Sequence, residues 1–589
     1  LNDLSVPIQK HSPFETQVIF AQAGNTRLVG SLNSSLSVTG LFLRTLWDRC
    51  MIGSAPLRLQ FLRVADRAPN GLVAAPTDLR AVDPYVAQEL VLGRIALAGR
   101  ILETGGVSPF VLEMPSPAFE ERLHAFRWLR HVRASKSDEA CARARILVSD
   151  WISMHGRKIG GAAWAPETAA QRLIAWLSHS PVVLQNADAG FYRRFLKSLG
   201  YHVRYLNLIA KHAPDGETRL KIRIALAIAS ISLPNRAARI ARHGFKLDRE
   251  LERQIMPDGG HVSRNPRVIL DLMLDLLPLR QSYINLGHDV PPGLVPAIDR
   301  MFPAIRFFRH QDGDLALFNG ATVTLANELA SVLRYDETSG RPSRALSDIA
   351  YQRLSAADTV IVVDTGIPKS MELSRGAHCG CLSFEMSSSR NRFIVNSGFP
   401  PFAVDAFKRA SRSTAAHSTV TINDTSSSRL SRSRLLGPVM IPGITDVLVE
   451  RETDQKGADV LRASHDGYRS AFGYFYEREL ELNAAGSKIK GRDSVQPEQD
   501  SKGPPVSADA VSRFHVHPSI ELVRLDDESV MMRAGDGTSW VFSAPGQTVT
   551  IAEDVFMADA SGVRPSQQIE IPFLLPDITD IRWIIEKKL

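Results

Sequence analysis

The spacing of apolar residues changes once along this chain, and that change constrains the fold more than any other feature. From about residue 80 to 335, apolar side chains recur at three- and four-residue steps, as in "DPYVAQELVLGRIALAGRIL", "PETAAQRLIAWLSHSPVVL" and "TRLKIRIALAIASISL". This spacing gathers them on one stripe of an α-helix. Asp83, Ser116 and Thr218 stand where helix caps belong. The connections are short, so successive helices run antiparallel. No motif repeats at a fixed period, which argues against an ordinary solenoid. Beyond about residue 350 the pattern turns to short alternating or β-branched segments such as "TVIVVDTG", "NRFIVNSG", "YFYERELELN" and "SWVFSAPG". Many such strands with Gly, Asn, Asp and Ser between them predict an antiparallel sandwich. The expected organisation is an N-terminal extension with the first helices over 1–80, a helical domain over 81–340, and a β domain over 341–589. A chain of 589 residues exceeds what one core serves, which agrees with that division.

Charge follows the same division. Residues 1–310 hold 40 Lys+Arg against 26 Asp+Glu, and the remainder holds 30 against 37, within an overall net charge of +7. A basic first part suits an anionic polymer, acidic polysaccharide ahead of nucleic acid. Four cysteines (Cys50, Cys141, Cys379, Cys381) are too few for a disulfide framework. No apolar run reaches the length of a transmembrane helix, so no membrane partner is expected. The first residues lack the layout of an export signal. A cytoplasmic protein is expected, or a periplasmic one if a signal has been removed.

Chemistry-bearing residues gather in a few places. "IMPDGGHVSRNP" interrupts two helices with His261, Arg264 and Asn265 on a glycine-containing loop. Asn265 followed by Pro266 also reads as a helix start. "WAPETAAQRLIAWL" sets Trp164, Arg172 and Trp176 on and beside one helix, a platform for a sugar or a piece of core. Tyr283 and His288 follow in "LPLRQSYINLGHDVP". In the β half, His378, His417 and His465 sit in "GAHCGCLSFE", "STAAHSTVTIND" and "SHDGYRS", while His515 and His517 share a strand face in "RFHVHP". Imidazoles beside strands can bind zinc, but these spacings match no zinc signature.

Taken in order, "PDGGHVSRNP", "HCGCLSFE" leading to "FIVNSG", "AAHSTVTIND" and "HDGY" with "ERELEL" and "GRD" resemble the heparinase II/III family. That resemblance implies an incomplete α/α toroid followed by an antiparallel β-sandwich. It also implies a polysaccharide lyase of the heparin or alginate type, acting on a uronic-acid polymer by β-elimination in the cleft between the domains. In such chemistry a positive or hydrogen-bonding group neutralises the uronate carboxylate, a base takes the C5 proton, and an acid protonates the leaving oxygen. The residues assigned to catalysis are His261, His378 and Tyr283. Those assigned to substrate are Arg264, Asn265, Trp164, Arg172 and His465. The acidic residue and tyrosine that the family carries in the segment matching "GGHVSRNP" are missing here. In metal-binding relatives the positions matching His378, Asn396 and His417 hold zinc. A neutral Asn396 is a poor ligand, so no metal cofactor is expected, with His378 and His417 as the lesser candidates. Two alternatives remain: a catalytically weak protein that binds acidic polysaccharide, and a glycoside hydrolase on the same architecture.

Overall fold

A computed structural model describes residues 26–61, 69–338, 340–441, 443–499 and 504–588. The first 25 residues, where an export signal was sought, lie outside them. The helices are α1 (Thr26–Gly53), α2 (Ala55–Phe61), α3 (Pro84–Val91), α4 (Pro117–Ala125), α5 (Leu129–Ser135), α6 (Asp138–His155) and α7 (Pro166–Ser178). They continue as α8 (Ser180–Val183), α9 (Ala189–Ile209), α10 (Glu217–Ser232), α11 (Ala237–Gln254), α12 (Pro266–Asn285), α13 (Leu294–Phe308) and α14 (Ala326–Leu333).

These helices form an incomplete α/α toroid, and their sequences assign the inner and outer layers. Helix α10 is apolar nearly all round, with Leu220, Ile222, Ile224, Leu226, Ile228 and Ile231 buried, and it packs on α7, α11 and α12. Helix α11 buries Ile240, Leu247 and Leu251 on one stripe, the pattern of an outer-layer helix. The Asp83 and Ser116 side chains accept from the amides of Tyr85 and Phe119, as caps should.

Two local expectations are corrected. Thr218 is not a cap: α10 starts from Gly216, whose φ of 84° suits glycine, and the Thr218 hydroxyl donates to Glu167 instead. The segment 83–102 is not one helix. Gly93 and Gly99, at φ 79° and 69°, end α3 and turn the chain into a hairpin pairing Arg94–Leu97 with Arg100–Glu103.

The first sandwich strand begins at Ala345, and the longest helix after it, Asp405–Ala410, has six residues. All strand pairs among the described residues are antiparallel. A nine-stranded sheet, built from five strands between Ala345 and Val395 and completed by Val420–Ile422, Ala508–Val516, Thr550–Asp559 and Gly562–Leu575, faces an eight-stranded sheet built around Tyr474–Leu482 and Asp580–Lys588. Phe384 stacks on Trp583 between them, with ring centroids 5.7 Å apart.

The first strands of the nine-stranded sheet explain how the domains join. Along Thr359–Asp364, Val360 and Val362 enter the helical core, while Ile361 and Val363 enter the core between the sheets. Every residue of that strand is buried, because both faces are covered.

Candidate functional site

The loop between α11 and α12 lies at the domain junction, and its glycines serve packing. A Cβ on Gly259 would lie 1.8 Å from the Arg300 carbonyl, and one on Gly260 would lie 2.3 Å from Ile349. His261 is fully buried, with Nδ1 2.7 Å from Ser263 Oγ and Nε2 2.9 Å from Gln254 Oε1. Burial and the nearby Lys221 push its pKa down to about 3, so the ring is neutral with both nitrogens occupied. It has no free nitrogen with which to take a proton.

Arg264 is likewise turned inward. Its Nε and Nη1 donate to the carbonyls of Ile349 (2.8 Å) and Gly366 (2.9 Å), and its Nη2 pairs with Asp364. The guanidinium lies 4.8 Å over the Tyr351 ring, whose hydroxyl donates back to the Arg264 carbonyl. Arg264 therefore ties the toroid to the sandwich, and the expected exposed grip is overturned. Asn265 caps α12, accepting from the Arg267 amide at 2.9 Å.

The remaining sequence candidates also lie inside. Trp164 stacks on His202 and donates to the His155 carbonyl. Arg172, fully buried, donates to His202 and the His124 carbonyl and lies 3.9 Å over Trp151. Neither reaches the cleft. Tyr283 is in the toroid core, where burial pushes its hydroxyl up to about 12. His465 is buried, accepts from the Gly467 amide, and is pushed down to about 4 by burial. Helical spacing could not separate a sugar platform from a core, and tertiary packing made these residues core.

His378 and His417, 39 residues apart, are brought together, with Nδ1 of the first 3.1 Å from Nε2 of the second. His417 Nδ1 faces the Ser413 carbonyl at 2.7 Å and must carry the proton. Its Nε2 is then an acceptor, so His378 Nδ1–H donates to it. That leaves His378 Nε2 as a bare lone pair, buried and without a partner among the described residues. Burial and the neighbouring His417 hold His378 well below the ordinary histidine value. The pair does not fit zinc. His417 Nε2 is engaged, and the Asn396 Oδ1 that would complete the set accepts from the Ser418 amide at 3.1 Å. Among the described residues, no group of three or more His, Cys, Asp or Glu is arranged to hold a metal.

The open chemistry lies elsewhere, where the first turns of α7, α10 and α12 converge beside α4. Lys221 is bound by Glu167 (2.9 Å) and Glu217, and Arg267 by Glu328 (2.6 Å) and Asp271 (3.1 Å). Glu167 and Glu217 keep 40% and 31% of their side-chain surface accessible although protein surrounds them, which describes a cleft wall. The Lys221 ammonium holds Glu167 below the ordinary carboxylate value. Burial raises Glu217, aided by Glu167 and opposed by Lys221. Burial raises Glu121 as well, again with help from Glu167. Arg122 has no ion pair among the described residues and lies 4.2 Å over the ring of Phe402, which the sandwich contributes. Sequence reasoning missed this cluster because each member is an ordinary helix-surface residue. Its one signal was Glu217 and Lys221 at i and i+4 in "DGETRLK".

Comparison with known proteins agrees with this architecture. The family described as "Heparinase II/III-like, C-terminal" matches residues 338–584. A crystal structure of heparinase III superposes with a TM-score of 0.68 at 13% identity, covering 91% of this chain and 89% of that one. Heparan sulfate lyase HepC from Pedobacter heparinus gives a TM-score of 0.55 at 14% identity, over 92% of this chain and 88% of that one. At such identities the likeness is one of fold. The FtsZ-localized protein C of Caulobacter vibrioides is 30% identical over 552 residues, 92% of this chain and 94% of that protein.

Proposed function

The chain belongs to the heparinase II/III-like family, and from that premise we propose that it acts by binding, at sites of FtsZ assembly, and does not cleave uronates. The observation that carries this reading is the state of the groups that β-elimination needs. His261, Arg264 and Tyr283 are buried in structural roles, and the accessible face of the cleft is lined by carboxylates. A uronate polymer carries a carboxylate of its own. Here it meets Glu121, Glu167 and Glu217, with Lys221 and Arg267 each already held by two acids. The family's substrate class, an acidic polysaccharide, retains one receptive pair, Arg122 on Phe402. An aromatic ring with a guanidinium suits holding a saccharide without turning it over. The proposed place of action is supported by the relationship, over 92% of this chain, to an FtsZ-localized protein, and a cytoplasmic location accords with it. No zinc belongs to this reading.

Two measurements test it. Purified protein incubated with heparin, heparan sulfate and alginate should give no rise in the ultraviolet absorbance of unsaturated uronates. A rise that disappears in His378→Ala would restore the lyase. The chain should also sediment with assembled FtsZ, and failure to do so removes the proposed place of action.

A second reading, glycoside hydrolysis, rests on Glu167 and Glu217. One ammonium brings the two carboxylates together, and their pKa values are driven apart, as an acid and its partner require. Reducing ends released from a neutral or amino-sugar polymer, and lost in Glu217→Gln, would favour it.

A further inference from the structure

Two cations of the cleft have no counter-ion in the protein. Arg122 lies in α4 and Arg127 just beyond it. Between them Phe126, at φ 57°, closes the helix in the left-handed region that a bulky residue avoids. The turn puts Arg127 near enough to Glu167 and Asp271 for its charge to lower both carboxyls, against their burial. Arg122 and Arg127 make no side-chain hydrogen bond and no ion pair among the described residues. Their neighbours are compensated. Against burial, carboxylates raise Arg80, Arg267 and Lys221 above their ordinary values. Burial and nearby guanidinium groups instead push Arg122 down to about 10 and lower Arg127 as well. Enclosing a cation without a partner is costly, so the missing anion is one that a ligand brings.

Arg267 adds a donor to the same place. Asp271 and Glu328 take its Nε and Nη2, while its Nη1 is buried without a partner among the described residues. Arg122 feels the charge of both Arg127 and Arg267, so the three guanidinium groups share one space. Glu167 and Glu217 stand in the first turns of α7 and α10, but the first turn of α12 holds no acid. The positive end of that helix therefore also favours an anion here. Two unpaired guanidinium groups match a charge of about −2, and donors from three residues match three oxygens around one centre. A phosphate monoester has both, whereas a uronate carboxylate has one charge and two oxygens. Phe402 covers one face of Arg122 at 4.2 Å and leaves the N–H edge of the guanidinium free. The accessible carboxylates of Glu167 and Glu217 accept from hydroxyl groups, which a sugar supplies.

We propose that the cleft holds a saccharide bearing a single phosphate monoester. The phosphate lies on Arg122, Arg127 and Nη1 of Arg267, and the sugar hydroxyl groups donate to Glu167 and Glu217. One anionic group fits between these carboxylates, where a polymer with an anion on every second sugar is repelled. This deepens the binding function proposed above and rests on the cleft being a binding site.

Calorimetric titration of the full chain with glucose 6-phosphate provides the test. Glucose 6-phosphate should bind, and glucose, inorganic phosphate, glucose 6-sulfate and glucuronate should each bind about tenfold more weakly or worse. UDP-glucose, which has no monoester, should be weaker as well. Arg122→Gln should lower the affinity for glucose 6-phosphate about tenfold, and Arg122→Gln with Arg127→Gln about a hundredfold. Arg122 is exposed, so thermal melting of its single variant should match the parent. No binding of glucose 6-phosphate, or undiminished binding by the folded Arg122→Gln variant, overturns the proposal. Equal binding of glucuronate, glucose 6-sulfate or UDP-glucose overturns the choice of a monoester. Equal binding of inorganic phosphate reduces the site to an adventitious ion only. None of these results releases unsaturated uronates or separates the chain from assembled FtsZ, so failure here is distinguishable from failure of the function proposed above.

Discussion

Two charged clusters, one centred on Arg264 and the other on Lys221, behave in opposite ways. Arg264 with Asp364 is sealed at the domain junction, with side-chain exposures of 3% on both partners. Lys221 with Glu167 and Glu217 opens to the cleft. Both are cation–carboxylate clusters, and both involve residues far apart in the chain. A sealed pair whose remaining donors all reach carbonyls is a strut, because no ligand can approach it. A wet pair can exchange its partners for a ligand. Accessibility therefore separates the structural cluster from the candidate functional one.

The comparison predicts a ranking of effects, and acid should produce the largest. Burial pushes His261 and His124 down to about 3, and His417 and His465 down to about 4. Each is neutral when folded and has an ordinary value near 6.5 when unfolded. The stability contributed is therefore complete above about pH 6.5 and is lost as pH falls toward the folded values. The slope is about 1.4 kcal/mol per pH unit for each histidine. Denaturant titrations between pH 4.5 and 7 should show it, and His261→Gln should remove the share of one proton. A flat profile would mean that the sealed region is wetter than its geometry implies.

Next comes Arg264→Ala, which leaves Asp364 buried and unpaired and should cost about 3–5 kcal/mol in denaturant unfolding. Arg264→Lys should rescue little, because one ammonium cannot reach the carbonyls of Ile349 and Gly366 together with Asp364. Lys221→Met, in the wet cluster, should cost about 1 kcal/mol, since water can solvate the released Glu167 and Glu217. A loss as large as that of Arg264→Ala would break the distinction. Glu217→Gln should be the mildest, within about 0.5 kcal/mol by thermal melting. Burial already disfavours its charged form.

The two clusters also show what could be read in advance. Asn265 was legible as a cap because its evidence is local: an amide side chain two residues before the backbone N–H it accepts from. Arg264, its neighbour, was misread because its partner Asp364 lies 100 residues away. The segment 83–102 was misread for a local reason, since its apolar spacing suited a helix while Gly93 and Gly99 reversed the chain. The accessible Glu167 and Arg122 left little mark, because a charged residue on a helix surface looks the same whether it faces bulk water or a cleft.

By itself the sequence determined the two-layer plan. A period near 3.6 followed by a period near 2 can bury apolar surface only as packed helices followed by packed sheets. It also determined the helix starts at Asp83, Ser116 and Asn265, which depend on atoms a few bonds away. The tertiary structure alone decided which polar groups are sealed and which are wet. It sealed Arg264 and His261, left Glu167 accessible, and turned Trp47 outward. Desolvation and pairing depend on what the rest of the chain brings into contact, and residues 100 and more positions away bring it.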